Sequence, residues 1–83
     1  MPMYRVILHN DEVTPMDFVV AALVRFFVSD EKKAEEIMME AHEEGRATAA
    51  VMPFERAEFY VSRAQDYARI NDYPLSFSIE PCD

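Results

Sequence analysis

The sequence is poor in the residues on which many enzyme and metal-site motifs depend. Cys82 is the only cysteine and Gly45 the only glycine. One cysteine excludes an intrachain disulfide and a four-thiolate metal site, and one glycine excludes a glycine-rich phosphate loop and a nucleophile elbow. Because free cysteines are typical of reducing compartments, we expect a cytoplasmic protein. The absence of the two glycine motifs also leaves it without the usual machinery for nucleophilic or nucleotide-dependent catalysis.

Basic residues and long apolar runs are also scarce. The chain has 8 lysines and arginines against 16 aspartates and glutamates, which gives a formal net charge of -8. Such a charge repels the phosphate backbone of nucleic acids and anionic lipid surfaces. The longest apolar run, residues 18–24, is too short to span a bilayer, and residues 1–10 lack the pattern of a secretory signal. We therefore expect neither nucleic acid nor a membrane as a partner.

The residues that are present suffice for one hydrophobic core. The chain has 83 residues, of which 51% are hydrophobic and 29% are charged. A chain of this length forms at most one domain, and this apolar fraction is enough for the domain to fold by itself. We predict a single domain over residues 1–83.

The first half of the chain predicts a strand followed by two helices. Residues 3–9 alternate as in a half-buried strand. Thr14 is predicted to cap the first helix, with Pro15 as its first helical residue. Ser29-Asp30 is a second cap signature, and Gly45 stands where the second helix needs a left-handed residue at its end.

The second half predicts a strand, a helix and a final strand. Residues 46–52 alternate weakly, the residues after Pro53 follow a helical pattern to about Asn71, and residues 74–80 alternate again. The order is therefore βααβαβ. Each strand has one apolar face and each helix one apolar stripe, which predicts an α+β fold in two layers: a three-stranded antiparallel sheet covered on one face by three helices.

Four polar residues are candidates for chemistry. Asn10, Asp11 and Glu12 follow the first predicted strand, and His42 lies near the end of the second helix. Taken alone, the three loop residues are typical of a turn, and the histidine is typical of a hydrogen-bonded or solvated helix end. A metal site from His9, Glu12 and His42 is an alternative, although adjacent strand residues point to opposite faces. A metal- or carboxylate-dependent hydrolase is therefore a remote hypothesis.

Three motifs, in order and without gaps, resemble those of the ClpS family, adaptors of the N-degron pathway: Asn10-Asp11-Glu12 with Thr14-Pro15-Met16, His42-Glu43-Glu44-Gly45, and Tyr73-Pro74-Leu75. The resemblance implies a protein that is not an enzyme and needs no cofactor. It would bind proteins whose first residue is Phe, Tyr, Trp or Leu and pass them to the N-domain of a Clp-type AAA+ unfoldase. The runner-up is a related domain that docks on the unfoldase as an inhibitor and delivers nothing.

The resemblance also implies roles for individual residues. Asn10, Glu12 and His42 match the positions that hold the free α-amino group, with Asp11 as a supporting acid between them. Met16 matches the gate that refuses β-branched residues. The positions that match the wall of the side-chain pocket are Leu8, Thr14, Met16, Val19, Met38, Ala41 and Leu75.

Four positions bear on how far this chain follows the family pattern. Glu12 stands where a second aspartate is usual, and Ala41 stands where a larger valine is commoner. The smaller alanine leaves room that favours Trp or Phe over Leu.

Glu55 matches an acidic position that docks on the unfoldase, but Tyr60 replaces the lysine of that surface. Only three residues precede Tyr4, where family members carry a flexible extension, so we expect this 83-residue chain to bind degrons without stimulating their degradation.

Overall fold

Strands and helices follow each other in the predicted order βααβαβ. The computed structural model describes residues 2–82. Its elements are β1 (Met3–His9), α1 (Met16–Phe26), α2 (Glu31–Glu44), β2 (Arg46–Pro53), α3 (Phe54–Ile70) and β3 (Ser76–Pro81). None of the helices within residues 2–82 has the length and the apolar character of a membrane span.

The sheet has β1 in its centre, antiparallel to β2 on one side and to β3 on the other. The β-branched and aliphatic residues of β1 suit a central strand, because they pack well on a pleated surface that is covered. Ala50 pairs with Val6 and Thr48 pairs with Ile7, so Ala49 is the extra residue of a β-bulge. The predicted antiparallel sheet is confirmed.

The hydrophobic core lies between the sheet and the three helices, as predicted. α2 and α3 lie on the strands, and α1 packs mainly against these two helices. Leu23 of α1 and Val6 and Leu8 of β1 are almost completely buried in this core. The helices can approach each other and the strands closely because alanines occupy many of their buried positions: Ala22, Ala34, Ala41, Ala57, Ala64 and Ala68.

The start of α1 differs from the prediction. Its first helical residue is Met16, and Pro15 occupies the N-cap position with an extended backbone and no side-chain hydrogen bond. The prediction of Thr14 as the cap was wrong, because its hydroxyl donates instead to Asp11 Oδ2 at 2.9 Å. Hydroxyl side chains readily form such local bonds in competition with capping.

The end of α3 and the start of β3 differ from the prediction by one or two residues. α3 ends at Ile70, and Asn71 is its C-cap. β3 begins at Ser76, so Leu75 is buried just before the strand rather than within it. Phe77 is buried as the alternation in this segment predicts.

Ile7 is buried although it lies on the sheet face that carries no helix. It is 2% exposed. Arg46 of β2 pairs with His9, and Glu80 of β3 pairs with Arg5. The Arg46–Glu80 ion pair therefore crosses β1 diagonally and covers Ile7, and Arg5 contacts the same carboxylate at 3.5 Å. Long charged side chains can cover apolar surface in this way.

Replacing Glu80 by glutamine is expected to reduce the pH dependence of stability. The hydrogen bond from Arg46, with a smaller contribution from Arg5, lowers the pKa of Glu80 below its ordinary value of 4.5. Because its pKa is lower in the folded than in the unfolded state, the ionised Glu80 carboxylate stabilises the protein at pH values above the unfolded-state pKa. This contribution is lost as the pH falls through the folded-state pKa. Urea unfolding should therefore show a lower midpoint for Glu80→Gln at neutral pH and convergence with the wild type in acid.

The matched control for this prediction is Glu40→Gln, at an exposed carboxylate outside the ion pairs described above. Its midpoint should follow the wild type at every pH. A constant difference between Glu80→Gln and wild type across the titration would contradict the prediction.

Candidate functional site

One backbone hydrogen bond at Gly45 joins the residue after β1 to the end of α2. Gly45 has the predicted left-handed conformation, with φ 92°, and its N–H donates to the carbonyl of Ala41 at 2.8 Å. A Cβ atom added here would meet nothing within 4 Å, so the backbone angle is what calls for glycine. The Gly45 carbonyl accepts from the Asn10 N–H at 3.0 Å. This bond places Asn10 beside the last turn of α2, which carries His42.

Asp11 organises the loop between β1 and α1. Its Oδ1 accepts from the backbone N–H groups of Val13 at 2.9 Å and Thr14 at 2.6 Å. Its Oδ2 accepts from the Thr14 hydroxyl. Aspartate commonly holds turns by bonding the backbone two and three residues ahead. Both carboxylate oxygens are therefore used within the loop.

A cavity of about 120 Å³ opens between this loop, α1 and α2. Its volume is similar to that of the roughly 150 Å³ apolar cavity that accepts benzene in another protein. The lining contains every residue predicted for amine binding and for the side-chain pocket. The lining residues are Leu8, His9, Asn10, Asp11, Glu12, Thr14, Met16, Val19, Met38, Ala41, His42 and Leu75.

The cavity has an apolar interior and a polar rim. Leu8, Ala41 and Leu75 are at most 4% exposed. By contrast, the rim residues Asn10 and His42, together with Glu12, are exposed. None of the side-chain hydrogen bonds found within residues 2–82 involves these three rim residues.

The rim offers acceptors that suit a cationic donor. An asparagine provides an amide oxygen, a glutamate two carboxylate oxygens, and a neutral histidine one ring nitrogen. Charge-assisted bonds of this kind are stronger than neutral ones. The arrangement therefore fits a ligand with an ammonium group next to an apolar group.

His9 also lines the cavity, although the sequence suggested it only for the alternative metal site. Alternation along a strand places His9 on the face of β1 opposite Leu8, and its Nε2 lies 2.6 Å from Ser78 Oγ on β3. The available signal was its position next to Asn10. Within residues 2–82 no three His, Cys, Asp or Glu side chains are placed to hold a metal ion. The alternative metal site of His9, Glu12 and His42 is therefore not formed.

The two predicted docking residues lie on α3. Glu55 is exposed in its first turn. Tyr60 is half-buried, and its ring centroid lies 5.2 Å from that of Phe59 and 6.5 Å from that of Phe27. Neither residue lines the cavity. A docking surface on α3 would therefore be separate from the cavity.

Comparison with known proteins identifies the family. The family model described as "ATP-dependent Clp protease adaptor protein ClpS" matches residues 1–78. The chain belongs to the ClpS family. ClpS proteins are adaptors of the Clp protease and not enzymes, so the resemblance noted in the sequence is confirmed.

Two bacterial relatives are both named ATP-dependent Clp protease adapter protein ClpS. The protein from Bdellovibrio bacteriovorus is 47% identical over 78 residues, which cover 94% of this chain and 68% of the relative. The protein from Shewanella pealeana is 46% identical over 78 residues, which cover 94% of this chain and 76% of the relative. The similarity therefore extends over the loop between β1 and α1, the start of α1, the end of α2 and the residues that line the cavity.

A solved ClpS structure has the same fold. It is that of Agrobacterium tumefaciens ClpS2 bound to L-phenylalaninamide, with a TM-score of 0.92 and 35% sequence identity. The match covers 96% of each chain. The predicted α+β architecture is thus confirmed by a relative as well as by the order of elements.

Proposed function

We propose that this chain binds the N-terminal residue of proteins that begin with Phe, Tyr, Trp or Leu and passes these proteins to the N-domain of a Clp AAA+ unfoldase. The observation that carries the proposal is an apolar cavity directly beneath a rim of exposed acceptors. L-phenylalaninamide, the ligand of ClpS2, combines the two groups that such a site requires: a free amine and a large apolar side chain.

The rim selects the free amine. An N-terminal ammonium has three N–H donors, and the acceptors available to it are Asn10, Glu12 and His42. Asp11 supports them by holding the loop in shape. Hydrogen bonds to a charged group contribute about 1.5–3 kcal/mol each. An acetylated terminus has no ammonium and loses these bonds.

The cavity selects the side chain. A large unbranched or aromatic side chain passes between Met16 and Met38 and contacts Val19, Ala41 and Leu75. Burial of such a side chain contributes about 1.5–3 kcal/mol. A β-branched residue carries its extra carbon at the mouth, where Met16 acts as the gate. Both the amine and the side chain are thus needed for tight binding.

The test is a fluorescence anisotropy titration with peptides that differ only in their first residue, each with and without N-acetylation. Free peptides beginning with Phe, Tyr, Trp or Leu should bind. Acetylated peptides and those beginning with Val or Ile should not. Equal binding of free and acetylated phenylalanine peptides would refute the proposal.

Docking on the unfoldase is proposed for the surface of α3 that includes Glu55 and Tyr60. Glu55→Ala should weaken binding to the unfoldase N-domain and leave peptide binding unchanged, because neither docking residue lines the cavity. A reconstituted degradation assay with a phenylalanine-initiated substrate separates the two adaptor hypotheses. Faster degradation would establish delivery and contradict the expectation that this 83-residue chain binds degrons without stimulating their degradation. Slower degradation at saturating protein would indicate the inhibitor instead.

Ala41 is expected to set the size of the accepted side chain. It is 2% exposed and lines the cavity, so a larger residue there reduces the space for the ligand. Wild type should bind tryptophan-initiated peptides at least as tightly as leucine-initiated ones. Ala41→Val should weaken binding of the tryptophan-initiated peptide by about 1–3 kcal/mol, the usual cost of overpacking. Binding of the leucine-initiated peptide should be weakened by less.

Parallel titrations of the two peptides measure this ratio, with Val51→Ala as the control, because Val51 is an exposed residue of β2 that does not line the cavity. Tighter leucine than tryptophan binding in the wild type would contradict the prediction. So would an equal loss for both peptides in Ala41→Val.

A further inference from the structure

Within residues 2–82, three methionine side chains are exposed to a similar extent, and one of them lines the cavity. Met3, Met16 and Met39 are 41%, 46% and 40% exposed. Met16, the first residue of α1, lines the cavity, whereas Met3 and Met39 do not. The thioether of methionine is a common target of oxidation. An oxidant that attacks exposed thioethers therefore reaches the proposed gate as readily as it reaches the two methionines elsewhere.

Oxidation changes the chemical character of a methionine side chain and leaves the backbone intact. Hydrogen peroxide transfers one oxygen atom to the sulfur: an S–O bond forms, the peroxide O–O bond breaks, the sulfur loses two electrons, and the peroxide is reduced to water. The flexible apolar thioether becomes a polar, chiral sulfoxide. Methionine sulfoxide reductases reverse the change with a thiol as the reductant, which is oxidised to a disulfide while the oxygen leaves as water.

The interior of the cavity offers a sulfoxide oxygen no free hydrogen-bond donor among the buried side chains described. The hydroxyl of the buried Thr14 already donates to Asp11 Oδ2 at 2.9 Å. Burial of a polar group without a hydrogen bond costs free energy. An oxidised Met16 with its oxygen toward the cavity therefore gives an apolar ligand side chain a poor contact. The other buried lining residues are all apolar: Leu8, Val19, Ala41 and Leu75.

A sulfoxide oxygen that faces the solvent is also unfavourable for ligand binding. In this orientation the oxygen is hydrated, and the side chain of Met16 turns away from the cavity. The ligand then loses part of the apolar contact that Met16 provides at the mouth. Both orientations of the sulfoxide thus lower the affinity for a large apolar side chain.

We propose that Met16 is an oxidation site that regulates this chain: hydrogen peroxide converts its thioether to the sulfoxide and lowers the affinity for N-degrons, and reduction of the sulfoxide restores it. The proposal rests on the proposed function, because a loss of affinity requires that the cavity receives the first residue of a substrate.

Two measurements on the same peroxide-treated samples test the proposal. Calorimetry gives the affinity for L-phenylalaninamide, and mass spectrometry of tryptic peptides gives the oxidised fraction at each site. Met16 is the one methionine of the tryptic peptide 6–25. Protein in which this peptide is fully oxidised should bind L-phenylalaninamide at least about fivefold more weakly, as expected for a polar group buried without a partner.

Substitutions of single sulfur-containing residues assign the loss to one sulfur. Met16→Leu should have the same affinity before and after peroxide, whatever its starting affinity, because leucine has no sulfur. Met39→Leu is the matched control, since Met39 is similarly exposed but does not line the cavity, and it should lose affinity like the wild type. Cys82→Ser should lose affinity as well, because the thiol of Cys82 reacts with peroxide but lies beyond β3, outside the cavity lining.

Reduction of the oxidised wild type gives a test that is independent of these variants. Methionine sulfoxide reductases for both epimers, with dithiothreitol, should restore the affinity in step with the reduction of peptide 6–25. Recovery of this peptide without recovery of the affinity would overturn the oxidation proposal.

Three other results would also overturn the oxidation proposal. They are an unchanged affinity when Met16 of the wild type is fully oxidised, a loss that persists in Met16→Leu, and protection by Met38→Leu or Cys82→Ser. Each of these results leaves the proposed function intact. Failure of the untreated wild type to bind L-phenylalaninamide would instead overturn the proposed function.

Discussion

Asn10→Ala is expected to lower the affinity for L-phenylalaninamide by roughly one to two orders of magnitude. The proposed amide acceptor would be lost, and hydrogen bonds to charged groups are worth about 1.5–3 kcal/mol. The backbone N–H of Asn10, which donates to the Gly45 carbonyl, is retained by alanine. The loop should therefore keep its position, and the loss should report the side chain. Calorimetric titration of wild type and variant measures the ratio.

Asn71→Ala is the control for this substitution. Asn71 is an exposed asparagine at the other end of the chain, where its Nδ2 donates to the Tyr67 carbonyl, and its loss should leave ligand affinity unchanged. The weak binding of an acetylated ligand should be the same in Asn10→Ala and wild type. Wild-type affinity for L-phenylalaninamide in Asn10→Ala would remove this residue from the proposed rim.

Leu23→Ala is expected to lower the free energy of unfolding by about 2–5 kcal/mol. Leu23 is 0% exposed and belongs to the core cluster between the helices and the sheet. Truncation removes apolar contacts and leaves a cavity, because neighbouring helices relax only in part. In a domain of this size each kcal/mol shifts the melting temperature by about 4–8 °C. Circular dichroism should therefore record a decrease of at least about 8 °C.

Val24→Ala is the matched control for the core prediction. It is the next residue along α1 but is 41% exposed, so its truncation should shift the melting temperature by only a few degrees. A similarly small shift for Leu23→Ala would show that the helix packing adapts fully to the lost side chain. That result would contradict the packing inferred from the burial of Leu23.

Local sequence patterns predicted the helices and strands well because each helix or strand depends on residues that are close together in the sequence. The single glycine marked the end of α2, since its left-handed backbone is costly for other residues. The prediction for Thr14 failed because two local hydrogen bonds compete: the Asp11 carboxylate lies three residues before it and accepts its hydroxyl. Nothing in the spacing of the two residues decides between capping and this turn.

The candidate site could be assembled from the sequence only through the family resemblance. Composition and periodicity alone left Asn10 a turn residue and His42 a helix-end histidine. Their proximity depends on the hydrogen bond between Asn10 and Gly45, which joins residues far apart in the chain. His9 was left out of the predicted pocket because strand alternation describes the direction of its side chain and not the depth of the neighbouring cavity.

By itself the sequence determined the order of strands and helices, the apolar face of each, and the charges available to a ligand, because these follow from residue type and short-range spacing. Only the tertiary structure decided that β1 lies between β2 and β3, that the Arg46–Glu80 ion pair crosses β1 at the buried Ile7, and that the Asn10–Gly45 hydrogen bond brings the loop to the end of α2. These features depend on contacts between segments distant in sequence, which local patterns do not encode.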